Sequence, residues 1–345
     1  MANIFTYVDK YGKYSFKEKK FNEIDNLVLS NLAYLDFTET SINSSNHTLE
    51  EIGLEYLKKF KLRTIKKYGY SEKDAYNLLK KVIKTKRYKD IILIDYIYNI
   101  ENMQFSALTF KINKKLIYIA FEGTDQLIRG WRESFHLMAS FKVLSHYEAI
   151  NYLKKHIKIF GPKVIVGGHS KGGNLAVVSS LNLNILKKFK IKQIYNNDGP
   201  GLNKKDYHSL KYKIIKRKLI HIIPKNSIFG VLLNSDKKKV VKTSYIPFFS
   251  HTMSTWSIDD NKLNITTISK KHEKLHYKTN EWLNNHSDNE IKMIVDNVFD
   301  ILEKCNISDT MTLIKMKSII KVIKELKNID EETKNLAIDF LKTLI

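Results

Sequence analysis

The chain has 345 residues, of which 43% are hydrophobic and 28% charged, with only four prolines. These totals exclude a disordered or fibrous chain and a long flexible linker, and they allow one large α/β domain or one domain with an appendage. The formal net charge is +23, but paired lysines such as Lys58-Lys59, Lys154-Lys155 and Lys270-Lys271 recur along the whole chain instead of forming one block. That spread reads as a solvated basic surface, with nucleic acid not expected as a partner and peripheral contact with an anionic membrane compatible with the charge.

In chain order, residues 22–36, 47–60 and 73–83 carry apolar positions at helical spacing, predicting a helical N-terminal layer over about 20–85. Two β-prone runs follow, QFSALTFKI over 104–112 and KLIYIAF over 115–121, separated by Asn113-Lys114 as in an antiparallel hairpin. A helix over about 147–160 ends at Gly161-Pro162. Then come a strand over 163–167, a helix over 172–189, and strands over 193–196, 218–223 and 239–245. This alternation points to an α/β fold with a mainly parallel sheet covered by helices. From about residue 280 only helical stripes remain, so the expected division is an α/β domain over 1–280 and a helical C-terminal extension over 281–345.

Further exclusions come from smaller features. Cys305 is the single cysteine, which rules out an internal disulfide and fits a reducing compartment. The first twenty residues lack the apolar core of a signal peptide, and no window approaches the roughly 18 apolar residues of a membrane span. A cytoplasmic protein is expected. No metal-type finger, RNA-binding signature or dinucleotide spacing occurs, so no cofactor and no metal are expected.

The segment that carries chemistry is VIVGGHSKGGNLA, residues 164–176, in which Gly168-His169-Ser170-Lys171-Gly172 follows a β-run and opens a helix. That context is the one a nucleophile elbow needs: the serine sits at the apex of a sharp strand-to-helix turn, and side chains two before and two after it would collide. The helix that follows directs its amide end at the same point and favours negative charge there. Ser170 is therefore the candidate nucleophile. A serine needs a base oriented by an acid, and in this arrangement acid and then histidine follow in the chain. Among His208, His221, His251, His272, His276 and His286, only His251 lies in a loop beyond the last strand, whereas His221 lies inside an apolar strand. Asp198, in Asn197-Asp198-Gly199-Pro200-Gly201, ends the strand after the nucleophile helix and is the favoured acid over Asp236, which sits in a polar turn beside lysines. The backbone N–H of Lys171 and the N–H or hydroxyl of Thr124, which follows the strand KLIYIAF, are the candidate oxyanion donors.

Taken in order, Ala120-Phe121-Glu122-Gly123-Thr124-Asp125, Gly130-Trp131-Arg132-Glu133, the elbow, Asp198-Gly199-Pro200-Gly201, Ile223-Pro224 with Ser227-Ile228 and Gly230, and His251 with Trp256 five residues on resemble a family. It is a bacterial family of α/β-hydrolases related to the class 3, fungal-type triacylglycerol lipases, and the resemblance spans about 25–260. It implies an α/β-hydrolase fold, Ser170 as nucleophile, His251 as base, and Thr124 with Lys171 around the oxyanion. Two positions depart: Glu122 stands where those lipases usually carry Arg, and Ser134 where an acidic residue is usual. In class 3 lipases the acid follows the next strand, which falls near Asn226-Ser227, where no carboxylate occurs; that favours Asp198. The expected function is a serine hydrolase cleaving a carboxylic ester or thioester, with a lipid-like acyl chain as substrate. The alternative is a weak or inactive scaffold of the same fold binding an anionic partner through its basic surface.

Overall fold

The computed structural model describes residues 1–308 except 45, 63–69, 100–102, 125–127, 138–141 and 246, and only isolated positions beyond 308. Its frame is an eight-stranded sheet whose strands stand in chain order: β1 (His47–Thr48), β2 (Ile92–Asn99), β3 (Phe105–Asn113), β4 (Leu116–Phe121), β5 (Lys163–His169), β6 (Ile191–Asn197), β7 (Leu219–Pro224) and β8 (Lys238–Val241). β1 to β4 pair antiparallel, and β4 to β8 pair parallel. The hairpin expected over 104–121 is β3–β4, while β2 was not anticipated from its sequence.

The helices, in chain order, are α1 (Ile4–Tyr11), α2 (Glu23–Leu32), α3 (Leu49–Lys59), α4 (Tyr70–Val82), α5 (Ile128–His136), α6 (Leu144–His156), α7 (Lys171–Leu181), α8 (Ile185–Lys190), α9 (Lys204–Tyr207), α10 (Leu210–Ile215), α11 (Pro247–Ser250), α12 (Lys270–Asn285) and α13 (Asp288–Lys304). The single helix expected over 172–189 is two, α7 and α8, because Asn184 caps a new start by accepting from the Lys187 N–H. The last strand stops at Val241, short of the expected 245.

Sheet order explains the layering. Parallel strands laid down sequentially, each reached by a right-handed crossover, place every crossover helix on one face. Side chains alternate along the strands, so Ile117, Ile119, Val164 and Val166 meet α6 and α7 on that face. Tyr118, Ala120, Ile165 and Tyr195 point to the other face, which the N-terminal helices cover with Leu27, Val28, Leu78 and their neighbours. The N-terminal layer is therefore obligatory: without it the second face of the sheet would be wet. A buried ion pair, Arg87 with Asp25 at 2.5 Å and both side chains fully inaccessible, ties α2 to the segment after α4. α2 also reaches the functional edge, since the Asn26 amide donates to Asn197 Oδ1 at 2.9 Å.

Beyond β8, α12 and α13 continue the chain. The helical tail expected from residue 281 is entered through α12, and α13 packs on α5 through Phe299, Val295, Trp131 and Phe135. Arg132 of α5 reaches Asp296 and Asp300 of α13, each at 2.9 Å. The later helical stripes lie outside the described residues. No helix among the described residues is long and apolar enough to cross a membrane.

Candidate active site

β5 delivers its last residue, His169, directly into a turn whose apex is Ser170, with φ 56° and ψ −128°. A non-glycine residue at positive φ is strained and persists only where the surroundings over-determine it. Here they do. The Ser170 N–H donates to Asn197 O at 2.9 Å, and its carbonyl accepts from the Gly173 N–H at 2.9 Å. A Cβ on Gly168 would stand 2.4 Å from the Gly172 carbonyl carbon, which is the collision across the turn that the motif's glycines avoid. Ser170 itself is half-buried, within reach of solvent.

Gly172 is tighter still, since a Cβ there would lie 2.2 Å from Phe121 O and 2.6 Å from Glu122 O, both backbone atoms. Gly172→Ala is expected to cost about 3 kcal/mol, an overpacking with no flexible neighbour to yield, read out as a lower midpoint of denaturant unfolding.

Asp198 follows β6, is fully inaccessible, and also adopts a positive φ of 55°. Its Oδ1 accepts from the Ser227 hydroxyl and from the Gly230 N–H, the latter at 3.1 Å. Its Oδ2 lies 2.7 Å from Nδ1 of His251. A carboxylate partner fixes the proton on Nδ1 and leaves Nε2 as the basic nitrogen. Ser227, which stands near the place the class 3 lipase pattern gives to the acid, serves here as a donor to the carboxylate supplied by β6. Burial pushes the Asp198 carboxyl up to about 7, against the opposing pull of Ser227, His169 and Gly230. Burial likewise drives His251 well below the usual imidazole range, so its resting form is neutral.

The remaining candidates are accounted for elsewhere. Asp236 accepts from the Tyr207 and Tyr212 hydroxyls. His221 is buried between Ser235 and Gly199 O, His272 bonds Ser269, and His276 and His286 meet backbone carbonyls.

The roles of three side chains, those of His169, Lys171 and Glu133, escaped the sequence reading. His169, the variable position of the motif, sets its Nε2 2.8 Å from the carbonyl of His251, so it donates there and accepts from the Tyr34 hydroxyl at Nδ1, 2.6 Å away. It thereby pins the backbone of the histidine loop to the elbow, with the two imidazole rings 4.4 Å apart. Burial pushes His169 down to about 3, consistent with that neutral tautomer. Lys171, singled out for its N–H alone, buries its side chain: Nζ donates to Gln104 O at 2.5 Å and to Glu133 Oε2 at 2.9 Å. Gln104 in turn donates to Gly123 O at 3.1 Å. Because the peptide is planar and trans, fixing that carbonyl aims the N–H of Thr124 the opposite way. The Thr124 hydroxyl is engaged with Ser134, which itself donates to Gly130 O at 2.9 Å. Thr124 thus has its N–H, not its hydroxyl, to offer an anion.

Glu133 completes the chain. Burial works to raise its carboxyl, but Lys171 and Ser145 outweigh that and hold it below the usual range. Lys171→Met leaves the half-buried Glu133 without its cation and is expected to destabilise the fold by up to about 3–5 kcal/mol, measured by denaturant unfolding. Lys171→Arg should recover part of that loss.

Aromatic side chains wall the histidine. The Phe229 ring centroid is 4.5 Å from that of His251, and Trp131 of α5 is 5.3 Å from Phe229. Residues 125–127 and 138–141, which flank α5, lie outside the described residues. Among the described residues no cluster of His, Cys, Asp and Glu could hold a metal ion.

A mainly parallel sheet with crossover helices, a strained strand-to-helix serine turn, and an aspartate and a histidine presented after later strands define an α/β-hydrolase fold. The chain belongs to the Mbeg1-like family, whose model matches residues 82–300. The matched span begins later and runs further than 25–260: it omits the first N-terminal helices and takes in α12 and most of α13. Solved structures similar to this chain include the M37 lipase, 16% identical over 62% of this chain and 71% of that one with a TM-score of 0.38. The Lip2 lipase from Yarrowia lipolytica is 14% identical over 69% and 83%, with a TM-score of 0.40. A structure described as that of fungal lipases is 10% identical over 70% and 84%, also at 0.40. No curated protein matches the sequence.

Proposed function

We propose that the protein is a serine hydrolase that cleaves carboxylic esters or thioesters with an apolar acyl group, through an acyl-enzyme on Ser170. The observation that carries this reading is the His251–Asp198 pair, 2.7 Å across, tied to the strained Ser170 turn by the bond of the Ser170 N–H to Asn197 O and of His169 to the His251 carbonyl. Ser170 Oγ attacks the acyl carbon while its proton passes to Nε2 of His251. Asp198, at Nδ1, stabilises the imidazolium that forms. The developing oxyanion is met by the N–H of Lys171, one of the first helical amides without an intrahelical acceptor, and by the N–H of Thr124. The alcohol or thiol leaves with the proton from His251, and water, activated by the same nitrogen, releases the acid. The aromatic wall of Phe229 and Trp131 beside His251 supports an apolar acyl group. Peripheral contact with an anionic membrane is part of the same reading, supported by the charge of +23.

Nitrophenyl esters of increasing acyl length, assayed with the wild type and Ser170→Ala, test the reaction; turnover by the wild type that Ser170→Ala lacks supports it, and equal rates refute it. The pH profile carries a sign. The working form has Asp198 ionised and His251 neutral, so protonating the pair removes activity. With Asp198 raised to about 7, kcat/KM is expected to climb as pH rises through about 7 and to level off above.

A further inference from the structure

The edge of the sheet opposite the candidate active site has a different chemistry. α8 precedes the start of β6, the turn at Phe160 precedes β5, and α10 precedes β7, so all three lie at the strands' N-terminal ends. β5 has seven residues, which sets this edge about 20 Å from the Ser170 turn.

α8, ILKKFK, is inside out. Lys188 is 3% exposed, whereas Phe189 is 60% exposed, with Ile185 and Leu186 also on the surface. Phe160 is fully exposed in the neighbouring turn, and Leu210 on α10 is 75% exposed. These elements form one surface: Lys187 Nζ donates to Lys154 O at 2.5 Å, Lys163 Nζ to Phe189 O at 3.1 Å, and Lys218 Nζ to Lys188 O and Ile191 O, each at 2.8 Å. Lys218 lies in the turn that directly follows α10, so its bond to Lys188 O brings the end of α10 to α8. A cleft of about 590 Å³ at this edge is lined by Lys20, Lys115, Lys163, Lys192 and Lys218 together with Phe189, and by no carboxylate. Residues 154–163 and 185–192 likewise contain no acidic residue.

We propose that this edge is a docking surface for an anionic lipid bilayer, with Phe160, Phe189 and Leu210 entering the headgroup–acyl boundary and the lysines meeting lipid phosphates. Exposed large apolar side chains amid lysines are the composition of an interfacial membrane site. A duplex nucleic acid would use the lysines and leave the apolar side chains without a role. A second copy of this face would oppose lysine to lysine. Docking by this edge turns the catalytic edge away from the bilayer, so the ester reaches Ser170 from the aqueous side. The proposal rests on the peripheral-contact part of the reading above and not on the chemistry at Ser170.

The test is co-sedimentation of the full chain with vesicles of phosphatidylcholine alone or mixed with phosphatidylglycerol. Binding is expected only to the mixed vesicles. Phe160→Ser with Phe189→Ser, and separately Lys158→Glu with Lys192→Glu, should each weaken it by about tenfold or more. Lys225→Glu with Lys242→Glu changes the net charge equally at the opposite edge, where the chain leaves β7 and β8, and should weaken it much less. Ser170→Ala should bind like the wild type, and mixed vesicles should not accelerate hydrolysis of a water-soluble ester. The proposal is overturned by absence of vesicle binding, by equal losses in the Lys225 and Lys242 variant, by vesicle-stimulated hydrolysis, or by a patch that governs binding to duplex DNA or self-association instead. Circular dichroism melts of each variant separate lost binding from lost folding.

Discussion

Ser170→Ala is expected to lower kcat/KM for ester hydrolysis by roughly 10⁴–10⁶-fold, the range seen when a hydrolase loses its nucleophile and keeps its oxyanion donors and substrate contacts. The fold should survive, because alanine keeps the backbone bonds of the turn: the N–H to Asn197 O and the carbonyl to Gly173. Alanine also keeps the Cβ, and therefore the strain of φ 56°, ψ −128°. Ser170→Gly removes it. The glycine variant should be equally inactive and more stable than the alanine variant by about 1–3 kcal/mol, the usual cost of such a conformation. Steady-state hydrolysis and denaturant unfolding of the two variants measure both halves. A glycine variant no more stable than alanine would mean that the turn is unstrained, and the structural case for an elbow would weaken with it.

Asp198→Asn is expected to cost about 10⁴-fold in kcat, and the reason lies in who donates to whom. Ser227 and the Gly230 N–H both donate to Oδ1, so an asparagine keeps its oxygen there and turns its NH₂ toward Nδ1 of His251. Nδ1 must then accept, the ring proton moves to Nε2, and the nitrogen needed as base carries a hydrogen. His251→Ala should lose a comparable or larger factor. Adding His251→Ala to Ser170→Ala should cost almost nothing further, because the two groups act as a unit. Asp236→Asn serves as the counter-case: its partners are Tyr207 and Tyr212, and activity should be unchanged within about twofold. A large loss there, with Asp198→Asn active, would reassign the acid.

The α/β architecture could be read from the sequence because strand and helix periods alternate cleanly from 104 onward, and because each glycine of the elbow answers a specific close approach. The juxtaposition of His251 with Asp198 was legible from topology alone, since chain ends that leave parallel strands on the same edge must meet there. The supports were not legible. His169 looks like filler in a motif that specifies only its neighbours, and its partner Tyr34 comes from the N-terminal layer, 135 positions away in the chain. Lys171 reads as a surface cation in a chain full of lysine. Its burial against Glu133 and Gln104 depends on α5 folding back over the elbow, and no local pattern encodes that. The break between α7 and α8 was marked by Asn184, a capping residue, but the apolar stripe running through it masked the signal. β2 was hidden by its composition, because Asp95 and Asn99 interrupt an otherwise β-prone run.

Everything proposed for the catalytic edge requires that Ser170 Oγ be nucleophilic in the resting protein. Reaction with a fluorophosphonate, followed by mass spectrometry of the labelled peptide, asks this without knowledge of the substrate. One phosphonyl adduct is expected on the peptide containing Ser170, absent in Ser170→Ala, much slower in His251→Ala, and faster as pH rises through about 7. Intact, folded protein that takes no label on Ser170 between about pH 6 and pH 9 would contradict the account.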